Sequence, residues 1–218
     1  MRRGCSNTLG AGSRTSLRER QDNRGILRLG PHVKFQPASV GEARPARCPR
    51  CERGAYEGGR TNLHGHGVVE RQQRGPPEPG AAPSCVVVPV RRFRCIGCKK
   101  VLRVVPASCV ARKHFSGAAI AFALALWGGC GRSAAETRRR TSDWQVLGAG
   151  ARGWRSLWRW SRAVARGELL AGLGLSGLPA ALREVARRAA QALCGHAPVG
   201  LRREPIESQA FHGASHVS

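Results

Sequence analysis

The chain has 218 residues, with 37 Lys and Arg against 13 Asp and Glu and a formal net charge of +24. Only two acids are aspartates, Asp22 and Asp143, and neither lies in an apolar strand. That argues against a two-metal, carboxylate-dependent nucleic-acid enzyme, because Mg²⁺ needs several hard oxygen ligands held rigidly, and no catalytic residue is assigned.

The charge is unevenly spread: +7 over residues 1–47, +9 over 48–115, +7 over 116–167 and only +1 over 168–218. An excess of this size suits a polyanionic partner, either nucleic acid or an anionic membrane surface. Arginine supplies 33 of the 37 basic residues, a bias that a GC-rich genome also produces.

Residues 1–44 have low hydrophobicity and no persistent period, and read as a disordered basic arm or as sequence upstream of the true start. Met1-Arg2-Arg3 leads into polar residues, so no secretory signal is expected. The nine cysteines, an odd count, then fit reduced thiols in the cytoplasm, some of them holding metal.

Residues 45–112 are expected to form a small zinc ribbon. Cys48-Pro49-Arg50-Cys51 is a first CxxC pair and Cys95-Ile96-Gly97-Cys98 a second, with 43 residues between them. Four thiolates in two such turns make the tetrahedral sulfur site that structural Zn²⁺ prefers. Residues 62–70 read as a possible strand weakened by glycines, 75–83 as a loop, 85–90 as a strand placed at an edge or bulge by Pro89, and 101–105 as a further strand closed by Pro106. Lys99 and Lys100 offset the charge of a four-thiolate centre. A redox role for the pairs lacks the βαβ setting it would need. His64 and His66 are alternative ligands or ordinary exposed histidines. Cys85, Cys109, Cys130 and Cys194 read as core thiols.

The period then becomes helical over residues 113–167, expected to be a helix-turn-helix-like unit. The longest apolar run, 117–130, is 14 residues, short of the roughly 20 a membrane span needs, so it reads as a buried helix over 117–127 capped by Ser116. Ser133-Ala134-Ala135-Glu136 matches a capping box for a short second helix. A loop of about ten residues leads to a third helix over 152–166. At 100° per residue, Trp154, Leu157, Trp158, Ser161, Val164 and Ala165 share one face, with Trp160 at its border. Arg152, Arg155, Arg159, Arg162 and Arg166 share another.

Such a stripe is a solvated surface, a membrane-surface helix, or a face for the DNA major groove, where Arg pairs with phosphates or guanine. Its place as third of three helices favours DNA. Residues 168–196 are expected to supply a packing helix over 179–194, with Leu178, Leu182, Val185, Ala189 and Leu193 inward. Residues 197–218 are expected to be an irregular tail.

The stretch from Cys48 to about Trp160 also resembles a bacterial family of unknown function. Its members have an N-terminal zinc ribbon and a following helix-turn-helix, and are often transposase-like or insertion-element-associated. The resemblance rests on CPRC at 48–51, LHGHG at 63–67, RRFRCIGC at 91–98, VVPASCVARKHFS at 104–116 and the helix ending RW at 154–160. It implies that Cys48, Cys51, Cys95 and Cys98 are the zinc ligands. Glu52 and Lys99 stand where such turns often carry glycine.

The expected protein is therefore α+β: a zinc ribbon followed by a helical DNA-binding unit. It has Zn²⁺ as cofactor, DNA as partner and no membrane. Arg91, Arg92 and Arg94 join the five helix arginines as nucleic-acid contacts. An RNA-binding or protein-docking ribbon is the alternative.

Overall fold

The computed structural model describes residues 26–29, 39–110, 112–144, 146–177 and 181–217. Over these residues it is a mixed α+β chain with two small sheets followed by five α-helices.

The larger sheet contains β1 (Ile26–Leu29), β4 (Leu63–Gly75), β5 (Ser84–Cys95) and β6 (Val101–Pro106), in the order β1-β6-β5-β4. The last three strands form an antiparallel meander, and β1 adds parallel to the edge of β6. Part of the basic arm expected to lack structure is thus a strand. Residues 39–44 also take up a turn, in which Ser39 and Glu42 exchange backbone-to-side-chain hydrogen bonds and Ala43 is buried. The remainder of the arm lies outside the described residues.

Pro89 is tolerated because β5 pairs with β6 only over Arg91–Arg94. At Pro89 the strand pairs with β4 alone, so the missing N–H costs no ladder bond on the other side. The smaller sheet is the hairpin of β2 (Tyr56–Glu57) and β3 (Arg60–Thr61). Its two turn residues, Gly58 and Gly59, have φ of 56° and 73°, the pattern that a tight hairpin turn demands.

The five helices are α1 (Gly117–Leu124), α2 (Ala134–Thr141), α3 (Arg155–Ala165), α4 (Leu182–Gly195) and α5 (Ile206–Val217). Helix α1 is apolar on nearly every side and sits in the middle of the others, as such a helix must. Ser116 caps it by accepting the Ala119 N–H at 3.0 Å. Beyond Leu124 the chain continues as a π-helical turn, Ala125–Gly129. There a Cβ on Gly128 would stand 2.4 Å from the backbone nitrogen of Arg187, so only glycine lets this turn lie against α4. Ser133 caps α2 by accepting the Glu136 N–H at 3.1 Å.

The sheet and the helices are clamped through the end of β4. The Arg74 N–H donates to the His114 carbonyl and the Ser116 N–H to the Arg74 carbonyl. Arg71 Nη2 donates to the carbonyls of Val110 and Lys113, each at 2.5 Å.

Two helical expectations change, and the inward face of the packing helix is kept. The tail beyond 197 is not irregular: Ala210, Ala214 and Val217 of α5 pack with Ala121, Ala125, Ala190 and Leu193, while Phe211 meets Phe122 edge to face. In α3 the inward tryptophan is Trp160, 3% exposed, and Trp158 is 42% exposed. Trp160 stacks edge to face on Trp154 and Phe115, at 5.0 and 5.1 Å between ring centres, and this pairing rotates the buried face away from Trp158. In α4, Val185, Ala189 and Leu193 are buried and Leu182 half-buried, while Leu178 and Pro179 lie outside the described residues.

Candidate metal centre and nucleic-acid interface

Cys48 and Cys51 lie on a turn closed by a bridge between Arg47 and Gly54. Cys95 and Cys98 lie on the turn that joins β5 to β6. The two turns share one geometry. The Cys48 N–H donates to the Arg53 carbonyl at 2.8 Å, and the Cys95 N–H donates to the Lys100 carbonyl at 3.0 Å. Each donor thus reaches five residues ahead. In each turn the residue after the second cysteine is left-handed: Glu52 and Lys99 both have φ of 59°. The positions where glycine was expected keep the glycine conformation without glycine.

The four sulfurs converge. Cys48 Sγ lies 3.6 Å from Cys98 Sγ, and Cys51 Sγ lies 3.7 Å from Cys95 Sγ. All four lie within 4.8 Å of one another, and all four thiols are free. Thiolates at about 2.3 Å from a tetrahedral zinc would be about 3.8 Å apart, so the donor set fits such an ion in number, chemistry and spacing. Cys48 and Cys95 are buried with Ala43, Ala55, Leu63, Phe93, Leu102 and Val104, whereas Cys51 is exposed and Cys98 half-buried. The small core of this half of the molecule is therefore built around the first cysteine of each pair.

The surroundings act on the thiols unequally. Burial pushes Cys48 up to about 12 against the pull of the Arg50 and Cys51 N–H groups. At Cys95 burial acts in the same direction, but the N–H groups of Cys98 and Gly97 and the thiols of Cys51 and Cys48 outweigh it and bring the group down to about 7. A divalent cation among them would favour the thiolate at every position. The Arg53 side chain crosses from the first turn to the second, where a Cβ on Gly97 would stand 3.0 Å from its Nη1. His64 and His66 are exposed on β4 and are not members of the sulfur cluster. Of the other cysteines expected in the core, Cys109 is buried, Cys130 and Cys194 are half-buried, and Cys85 is exposed.

The arginines expected to meet nucleic acid fall into two groups. Arg152, Arg155, Arg159, Arg162 and Arg166 are all exposed on or beside α3. They lie opposite the buried Leu157, Trp160 and Val164. Among the described residues only Arg166 of the five has an acidic partner, Glu168 at 3.8 Å. On β5, Arg91 separates from Arg92 and Arg94. It stands opposite Val104, on the face that carries Phe93 and Cys95, while Arg92 and Arg94 occupy the other face. Arg103, which no sequence pattern singles out, stands directly opposite Arg92.

Between α2 and α3 the connection runs from Ser142 to Trp154, longer than the expected ten residues and than the tight turn of a helix-turn-helix. No helix among the described residues is long and apolar enough to cross a membrane. Compared with protein-family models, with curated proteins and with solved structures, the chain matches none.

Proposed function

We propose that the chain is a zinc-containing DNA-binding protein whose four cysteines hold one structural Zn²⁺ in a zinc ribbon and whose α3 lays its arginine face on duplex DNA. The observation that carries the reading is α3 itself. One side is fixed in the core by Leu157, Trp160 and Val164, and the other presents a row of exposed arginines of which four have no acidic partner among the described residues. Unneutralised guanidinium groups on a rigid helix are what a polyanion with evenly spaced charge requires. The zinc site would hold the two cysteine turns together in the folded chain. Helices α1 to α3 act as a helix-turn-helix-like unit with a lengthened turn. The resemblance of residues 48–160 to insertion-element-associated proteins supports the ends of such an element as the target. The reading assigns the chain no catalytic centre of its own.

The test is a salt series with the full chain, a labelled DNA duplex and a structured RNA. Affinity for the duplex is expected to fall with a slope of roughly −0.9 per phosphate neutralised. Replacing Arg155, Arg159 and Arg162 by Ala should shrink that slope by about three units if each meets a phosphate. Unchanged duplex binding by the folded triple variant overturns the assignment to α3. Tight binding to the RNA with none to the duplex supports the RNA-binding alternative.

A further inference from the structure

The sheet has one face on which every charged side chain is basic. Antiparallel register places directly opposed residues on the same face. Arg92 opposes Arg103, Arg94 opposes Val101 on one side and His64 on the other, and Arg71 opposes Val88. The acid of β4, Glu70, opposes Pro89 and so belongs to the reverse face. Far along the sheet the same face is apolar and buried, with Val88, Val90 and Val105 clustered against Cys109. At the end nearest the cysteine turns Arg94, Arg103 and His64 are exposed and Arg92 is half-buried.

The pair Arg92–Arg103 conflicts with ordinary sheet chemistry. Like charges directly across two strands destabilise a sheet, and the ion pairs among the described residues leave Arg92, Arg94 and Arg103 without an acid. Arg92 Nε is buried and has no hydrogen-bond partner among those residues. The local backbone makes room for this side chain. The register of β4 shifts between Gly65 and Val68, so that His66 and Gly67 together stand opposite Arg92. A Cβ on Gly67, whose φ is 82°, would come to 3.4 Å from Arg92 Nη2. A bulge re-aims a side chain at a functional surface, and an unsatisfied pair of guanidinium groups is neutralised by an anion that accepts from both.

We propose that Arg92, Arg94 and Arg103 form a second phosphate-binding surface for duplex DNA, on the sheet beside the cysteine turns, which adds to the contact made by α3 if the chain binds DNA as read above. Arg92 and Arg94 are about 7 Å apart along their strand, and Arg103 flanks Arg92 at about 5.5 Å or less. A duplex carries one charge per about 1.7 Å of its axis, so three guanidinium groups at this spacing span several phosphates. Arg91, on the reverse face, takes no part.

The experiment compares the full chain with three variants against one DNA duplex over a salt series, with zinc content and thermal midpoint recorded for each. Arg92→Ala with Arg103→Ala should reduce the salt slope by about two units. Arg103→Glu should raise the thermal midpoint, because it turns a repelling pair into an attracting one, and should weaken duplex binding at the same time. A purely structural arginine pair would not produce that opposite movement. The third variant carries Ala at 155, 159 and 162. If the sheet variants bind the duplex as the parent does while the α3 variant loses affinity, the sheet surface is overturned and the α3 reading stands. If the sheet variants lose affinity and the α3 variant does not, the sheet surface stands alone. If the parent binds no duplex, the proposal fails together with the α3 reading.

Discussion

Glu52 and Lys99 adopt the same left-handed backbone conformation, each at φ 59° and each one residue past the second cysteine of its turn. A non-glycine residue pays about 1–2 kcal/mol for that conformation, and two turns of matching geometry pay it twice. Glu52→Gly and Lys99→Gly should therefore each stabilise the protein by about 1 kcal/mol. Chemical denaturation of the metal-loaded variants measures both, and a loss of stability in Glu52→Gly would mean that the turn is held differently.

The two tryptophans of α3 should separate cleanly. Trp160→Ala removes a buried ring that packs on Trp154 and Phe115, and should cost about 3–5 kcal/mol. Trp158→Ala removes a ring that is 42% exposed and should cost less than about 1 kcal/mol. Urea unfolding monitored by circular dichroism is the measurement, and equal costs would contradict the packing of this helix.

Glu184 at the start of α4 accepts hydrogen bonds from Arg187 at 2.6 and 2.7 Å and from Arg188 at 2.8 Å, which hold its carboxyl down to about 2. A folded-state value below the unfolded one stabilises the protein above pH 4.5 and ceases to do so as the pH falls toward 2. Glu184→Gln should therefore lower the thermal midpoint slightly at neutral pH, the ion pairs being partly open to solvent. The difference from the parent should close across that acid window. A difference that stays constant down to pH 2 would show that the carboxylate charge is not what α4 uses.

The cysteine centre was legible because each half is a local signal, two thiols three positions apart, and because strand-like runs flank the second pair. Its left-handed corners were not legible, since the residue that advertises them is replaced by Glu52 and Lys99. The arginine row of α3 could be read from its helical period, but which tryptophan faced inward depended on Phe115, a tertiary neighbour outside the helix. Arg103 escaped notice because its importance lies in register, and cross-strand partners are set by turn and bulge geometry rather than by any one strand's pattern. Helix α5 was missed because Ala210, Gly213 and Ala214, all small, share its buried face with Phe211 and Val217. A Cβ on Gly213 would stand 2.0 Å from the Leu193 carbonyl oxygen. Small residues that let helices approach closely leave little hydrophobic signal. The Gly58-Gly59 pair between β2 and β3 is a hairpin-turn signal that the sequence carries in full.

The four cysteines, as proposed, form one zinc site on which the fold of this half depends. The direct measurement is the zinc content of the purified, dialysed full chain, taken together with the far-ultraviolet spectrum before and after a strong chelator. One zinc per chain is expected in the parent, none in Cys95→Ser, and loss of strand signal when the metal is withdrawn, because metal affinity here is folding energy. A parent protein that holds no stoichiometric zinc, with Cys95→Ser folding as the parent does, would contradict it.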